Sequence, residues 1–403
     1  MISLARWSTL LFFAAAPAML NAHDQDTTQL DNSNAVIRLD PNDPTLDPWS
    51  ALRDTSNDPK REPGPFYPGR LWAPGVLTFF KLPIALTPED LKAGDVDVAI
   101  MGAPVDMGIG MRGAGNGPKA LRESLGDVPG MSGSLPHIHA GVAWKQELTA
   151  VDYGDVPIDF LSVERSMPPV RQLVREIAAS GAIPVVIGGD HSLEYPNVAG
   201  IADVYGKENV GVIHFDAHYD AGGEGFGGHL ISHGQPIRRL IDEGHVLGKN
   251  YIQVGLRGYW PGEEGFQWMR ENNFRYHTMA EIERDGWDTV MKRVIDEAND
   301  GPEFLYISFD IDVLDPAYTP GTGTPEPGGL TPREVFPLVR SLCTENNLVG
   351  FDLVELNPLV DPGYTTILNS NRLVQECLTG IAMRKKGITN GQYLSPLTSD
   401  DKR

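Results

Sequence analysis

The chain has 403 residues, 41% of them hydrophobic, which is enough for one large domain with a sizeable core and unlike a disordered or fibrous composition. Its formal net charge of −21 argues against nucleic acid as a partner, because phosphate contacts need clustered Lys and Arg. The two cysteines, Cys343 and Cys377, lack metal-like spacing and are read as buried thiols, with a single disulfide the alternative in an oxidising compartment.

The first segment, MISLARWSTLLFFAAAPAMLNA, places Arg6 ahead of an apolar stretch from Leu10 to Leu20, with no acid before Asp24. That pattern predicts a signal peptide over residues 1–22 and a secreted or periplasmic protein, off the membrane once the leader is removed. The apolar stretch is too short for a membrane span. Residues 23–69, rich in polar residues and proline, are expected to form a flexible tail or arm. The aromatic but proline-broken stretch 64–86 is expected to pack irregularly, against the domain or a neighbouring subunit. Residues 70–403 are expected to form one domain.

Within that domain, strands are predicted at 96–104, 148–156, 183–191, 210–218, 251–258, 274–279, 304–315 and 348–356. Several are nearly continuous β-branched runs, as in strands covered on both faces. Helical patterns lie between them, among them 163–180 and 287–300. The alternation predicts an α/β fold with a parallel sheet and helices on both faces. In such sheets, ligands bind at the carboxyl ends of the strands.

Three predicted strands end in costly polar groups: GGDHS at 188–192, FDAHYD at 215–220 and SFDIDVLDP at 308–316. Alternate residues of an extended strand share a face, so Asp216 pairs with His218, and Asp310 with Asp312. Asp220 follows where the strand turns out, and His191 is expected to join from an adjacent strand. Four carboxylates at close range cannot all stay ionised without cations. Two bridged divalent metals resolve this, and the mixed oxygen and nitrogen set suits Mn, with Ni, Co, Fe or Zn also possible. Metals about 3.5–4 Å apart can hold a bridging hydroxide, a strong nucleophile at neutral pH.

These motifs, in this order, resemble the signatures of the ureohydrolase family of arginases and agmatinases, over about residues 97–384. The resemblance implies a three-layer αβα sandwich around an eight-stranded parallel sheet. It also implies a binuclear centre, manganese first and nickel second, that hydrolyses a guanidino group to urea and an amine. By motif, His191, Asp216, Asp220 and Asp310 would hold one metal. Asp216, His218, Asp310 and Asp312 would hold the other, with Asp216 and Asp310 bridging. Asp220 would take the hydroxide proton and pass it to the leaving amine. Asp190 and Ser192 would orient the ligands from behind. DLVELNP supplies Glu355 as the bidentate guanidinium partner, and ISHGQP supplies His233 as the proton shuttle. TPGTGTPEPGGL, 319–330, resembles a loop beside the active-site mouth, faced by Thr322 and Thr324.

The guanidine is less legible. Where arginases carry Ser and Asn to grip an amino-acid head group, this chain has AGGEGFGGHLIS, which disfavours arginase. Agmatine, ending in an ammonium, suits acids at the mouth, with Glu224, Glu263 and Glu264 as candidates. Tyr259 and Trp260 are candidates to stack on a cation or close over a small substrate. GMRGAGNGPKALR keeps Arg112 of the agmatinase pattern but has Asn116 in place of its second arginine. Agmatinase activity is the leading expectation, with guanidine hydrolase and guanidinobutyrase as alternatives. A metal-dependent deacetylase of the same fold is the alternative from another class, opposed by Asp310 and Asp312 together. The resemblance also implies a homotrimer or homohexamer.

Overall fold

The computed structural model describes residues 77–124, 132–223 and 231–395. The expectations for the leader (1–22), for the tail (23–69) and for Glu224 lie outside the described residues. Eight parallel strands form one sheet: β1 Val98–Ala103, β2 Ala150–Asp155, β3 Ile183–Gly188, β4 Val210–Phe215, β5 Tyr251–Leu256, β6 Arg275–Thr278, β7 Phe304–Asp310 and β8 Asn347–Val354. Their order across the sheet is β2-β1-β3-β8-β7-β4-β5-β6.

Side-chain alternation along the strands feeds two separate cores. Ile100, Ile213 and Phe309 face one of them, which is closed by the helices Trp287–Asn299, Pro332–Glu345 and Thr365–Lys385. Ala99, Val212 and Tyr306 face the other, beneath Val163–Ser180, Glu194–Tyr205 and Pro236–Asp242. This gives the three-layer αβα sandwich. The helix Val163–Ser180 starts where the Ser162 side chain accepts from the Arg165 amide, and it stops at Gly181, whose φ of 95° favours glycine. Cys343 and Cys377 are free, buried thiols on two packed helices. No helix among the described residues is long and apolar enough to cross a membrane.

Two local expectations need correction. β4 ends at Phe215 and β7 at Asp310, so neither pair of ligand candidates sits on one face of an extended strand. Asp216 and His218 lie in the turn beyond β4, where the Asp216 side chain accepts from the His218 amide at 2.6 Å. Asp310 caps the short 3₁₀ turn Ile311–Val313 by accepting from the Asp312 amide at 2.7 Å. In addition, β3 is not adjacent to β4, since β8 and β7 lie between them. The chain fills the centre of the sheet last. The candidate residues therefore gather at the carboxyl ends of the four central strands, β3, β8, β7 and β4.

Candidate metal centre and active site

His191 opens the 3₁₀ turn after β3, and its ring is buried. Nδ1 lies 2.9 Å from Asp216 Oδ2, 3.2 Å from Asp310 Oδ2 and 3.3 Å from Asp220 Oδ2. The carboxylates thus arrive from β4 and β7 around one nitrogen. His218 Nδ1 lies 3.1 Å from Asp312 Oδ2 and 3.3 Å from Asp216 Oδ1. Asp216 therefore offers one oxygen to each histidine, the arrangement a bridging ligand needs. Asp310 points Oδ2 at His191, while its Oδ1 is held by the Asp312 amide.

The groups behind this nest fix the tautomer of His191. The Ser308 hydroxyl donates to Asp352 Oδ1 at 2.7 Å, so Ser308 Oγ accepts from His191 Nε2 at 3.0 Å. Tyr306 and Asn197 donate to the other Asp352 oxygen at 2.6 and 3.0 Å. With the proton on Nε2, the Nδ1 lone pair faces three carboxylate oxygens, yet Nδ1 makes no hydrogen bond. A buried nitrogen aimed at three anions without a hydrogen bond fits a cation among them. The charge balance agrees. Burial and then Asp312 and Asp216 push the Asp310 carboxyl well above the usual range, and burial with Asp216 lifts Asp220 to about 6. Among the described residues, two clusters of ligand atoms lie close enough to share an ion: His191, His214, Asp216 and Asp220, and Asp216, His218 and Asp312. Divalent cations bound there would neutralise the crowding.

His214 is a residue the sequence reading missed. It sits inside the apolar run VIHF, stacked on His191 with ring centroids 4.5 Å apart. Nδ1 lies 3.1 Å from Glu194 Oε1, and Nε2 lies 3.1 Å from Asp216 Oδ2. The available signal was a histidine at a strand position that otherwise demands an apolar side chain.

Above the nest, Glu355 follows β8. Its Oε1 accepts from the His191 amide at 3.0 Å and faces His233 Nδ1 at 2.9 Å. Glu355 and Asp220 both adopt positive φ, 60° and 45°, a strained backbone of the kind held at functional sites. Burial disfavours a charged His233 ring while Glu355, Asp220 and Asp190 favour one and raise its pKa to about 9, but the Ile109 amide, which donates to Nε2 at 3.1 Å, leaves no room for a second ring proton in this arrangement. Asp190 and Ser192 do not back the ligand side chains as expected. Asp190 instead accepts from Ser192 and from the amides of Met107 and Gly108, at 2.6 and 2.9 Å for the last two.

The mouth is more open. Trp260 is 43% exposed, in a T-shaped contact with the Tyr219 ring, and a Cβ on Gly222 would lie 3.5 Å from its ring. A Cβ on Gly234, the neighbour of His233, would lie 3.8 Å away. Trp260 thus borders the segment carrying Asp220 and that carrying His233. Tyr259 is fully exposed. Thr322 is fully buried, whereas Thr324 donates to Asp312 Oδ2 at 3.3 Å, so Thr324 is the threonine that reaches the nest. Glu263 and Glu264 are exposed in the first turn of the helix Glu263–Glu271, where they favour the helix dipole. Arg257 was also missed. From the end of β5 it donates to the carbonyls of Asp312 at 2.7 Å and Glu326 at 2.6 Å, pinning the loop that bears Asp312.

Comparison with known proteins agrees with this geometry. The Arginase family model matches residues 96–380. The guanidino acid hydrolase, mitochondrial, of Homo sapiens is 37% identical over 331 residues, covering 80% of this chain and 88% of that protein. The agmatinase, mitochondrial, of Gallus gallus is 37% identical over 303 residues, covering 75% and 84%. The solved structure of proclavaminate amidino hydrolase from Streptomyces clavuligerus superposes with a TM-score of 0.67 at 30% identity, covering 78% of this chain and 99% of that one. With three motifs folded into one carboxylate–histidine nest beneath Glu355 and His233, the chain belongs to the arginase family and is a ureohydrolase that acts on guanidino groups.

Proposed function

We propose that the protein hydrolyses agmatine to putrescine and urea. The observation that carries this reading is the position of Glu355. One of its oxygens is held by His191 and His233, which leaves Oε2 for a guanidinium above the carboxylate nest. When bound, two divalent cations, manganese by preference with nickel as the alternative, supply Lewis acidity and a lowered water pKa. His191, Asp216, Asp220 and Asp310 would hold one, and Asp216, His218, Asp310 and Asp312 the other. Around them, Glu355 fixes the guanidinium plane and Asp220 accepts the proton of the attacking water. His233, beside Glu355, relays that proton from Asp220 to the departing amine.

The tail preference follows from charge. Segment 221–232 carries Glu224 and neither Lys nor Arg. Arg112 turns its donors to the carbonyls of Asp106 and Met107, and Arg257 turns its own to the Asp312 and Glu326 carbonyls. An ammonium tail suits such a mouth better than a carboxylate tail. The placement of Trp260 against Gly222 and Gly234 supports a second reading, free guanidine in a small closed pocket. The test is urea release by metal-loaded protein offered agmatine, guanidine, arginine and 4-guanidinobutyrate side by side. Agmatine should have the highest kcat/KM, and a preference for 4-guanidinobutyrate would overturn the charge argument. Export by the leader and a homotrimeric or homohexameric assembly belong to the same proposal, read by N-terminal sequencing of the mature protein and by light scattering.

A further inference from the structure

His233 is held on three sides. Nδ1 faces Glu355 Oε1 at 2.9 Å, and the Ile109 amide donates to Nε2 at 3.1 Å. Since Nε2 accepts, the ring carries its proton on Nδ1 and donates it to Glu355. Gly108 packs against the ring itself, where an added Cβ would lie 2.7 Å from Nδ1. Only a residue without a side chain allows the backbone this close.

What places the 107–109 backbone there is Asp190. Its Oδ2 accepts from the Met107 amide at 2.6 Å and from the Gly108 amide at 2.9 Å. Its Oδ1 is held by the Ser192 hydroxyl and by the Ser192 amide at 3.2 Å. The Asp190 amide donates to the Val105 carbonyl at 2.9 Å, so both ends of the connection are tied. Further along, the Met111 amide donates to the Gly323 carbonyl at 3.0 Å, and Asn357 Nδ2 donates to the Met111 carbonyl at 2.7 Å. Ile109, at the crest, is 51% exposed. The turn is thus anchored on both sides and open to solvent at the residue that touches His233.

We infer that Asp190 is a positioning residue for His233, acting through the 107–109 backbone, and that the Ile109 amide holds the Nε2 lone pair of that histidine until the turn shifts. This rests on the reading of His233 as the group that protonates the leaving amine. In the closed arrangement His233 has no free nitrogen for that task, so the crest of the turn must withdraw when a guanidino substrate enters. Asp190, which touches neither substrate nor reacting atoms, keeps the rest of the turn, and with it the His233 ring, in place while the crest moves.

Two variants test this in the full-length protein: Asp190→Asn, which replaces one acceptor oxygen by a donor, and Gly108→Ala, which drives a Cβ into the His233 ring. The first readout is the ¹⁵N shift pair of the His233 ring, assigned with His233→Asn, in protein loaded with diamagnetic zinc. Wild type should show a protonated Nδ1 and a bare Nε2, and both variants should lose that split. The second readout is urea release from agmatine, where kcat should fall at least tenfold while KM stays within about threefold. A wild-type ring protonated at Nε2, or variants that keep the wild-type split, would overturn the inference. If wild type releases no urea, the functional reading fails while the nitrogen shifts still decide the role of Asp190. The two failures are therefore distinguishable.

Discussion

At the ends of β4 and β7, Asp216 and Asp312 are buried to within 1% of complete enclosure, whereas at the rim of the same crevice Tyr259 is fully exposed and Trp260 is 43% exposed. Each buried acid is tied by neighbours before any ligand arrives. Asp216 is held by the His218 amide and His214, and Asp312 by the Ala217 amide and Thr324. The rim residues have looser company. Under the proposed function the contrast separates two tasks: the nest would supply the chemistry, and the rim would select which guanidine reaches it. A substitution in the nest should therefore act on cation binding and kcat, and one at the rim on selectivity.

The largest effect is expected from Asp216→Asn, which weakens both cation positions at once. Urea release should fall by more than about a thousandfold, beyond the 10–100-fold typical of groups that only orient ligands. Metal analysis of the same sample should show cation lost from both positions. Glu355→Gln should follow, with kcat/KM falling by about a hundredfold, the scale for losing one preorganised charged partner. Its cation content should be unchanged, and a loss of metal there would blur the line between the nest and its roof.

Ser308→Ala and Asp352→Asn remove the relay that keeps the proton on His191 Nε2. Cation affinity should weaken by about 10–100-fold, with activity restored by excess cation. If excess cation fails to restore it, the relay does more than orient His191. Trp260→Ala should leave kcat close to wild type and lower kcat/KM for agmatine by about 3–30-fold, the value of an aromatic face against a cation. A collapse of kcat in that variant would break the division between nest and rim.

Glu376 provides a control elsewhere. Burial pushes its carboxyl up, but His137, Arg340 and Arg372 outweigh burial and hold it at about 2. Because the folded pKa lies below the ordinary value of 4.5, the stabilisation is complete above about pH 4.5 and is lost as pH falls toward about 2. Glu376→Gln should lower stability by about 1–3 kcal/mol at pH 7, and by less as the pH approaches 3. Thermal melts across pH would read this, with urea release per folded molecule unchanged.

Much of this was legible in the sequence because the fold announces itself locally. All eight strands overlap the segments expected from the sequence, several of them nearly continuous β-branched runs, and the helix Val163–Ser180 falls on the residues where its pattern was expected. The polar groups at the ends of β3, β4 and β7 were visible because acids are costly where strands enter a core. Groups defined by partners far along the chain were not legible. His214 hid in an apolar run because its meaning comes from Glu194 and His191. Asp352 lies inside β8 and matters only through Ser308 of β7. The route from Asp190 to His233 passes through backbone amides, which carry no signature in the side-chain pattern. Asp216 and His218 are neighbours as their spacing predicts, but a turn beyond β4, and not alternation along a strand, brings them together.

The most direct measurement counts cations and urea on one sample: metal content per chain, and urea released from agmatine, as manganese is titrated into metal-free protein. The account predicts activity that rises with occupancy and saturates at two cations per chain. Full occupancy at two cations with no urea from agmatine, guanidine, arginine or 4-guanidinobutyrate would contradict it.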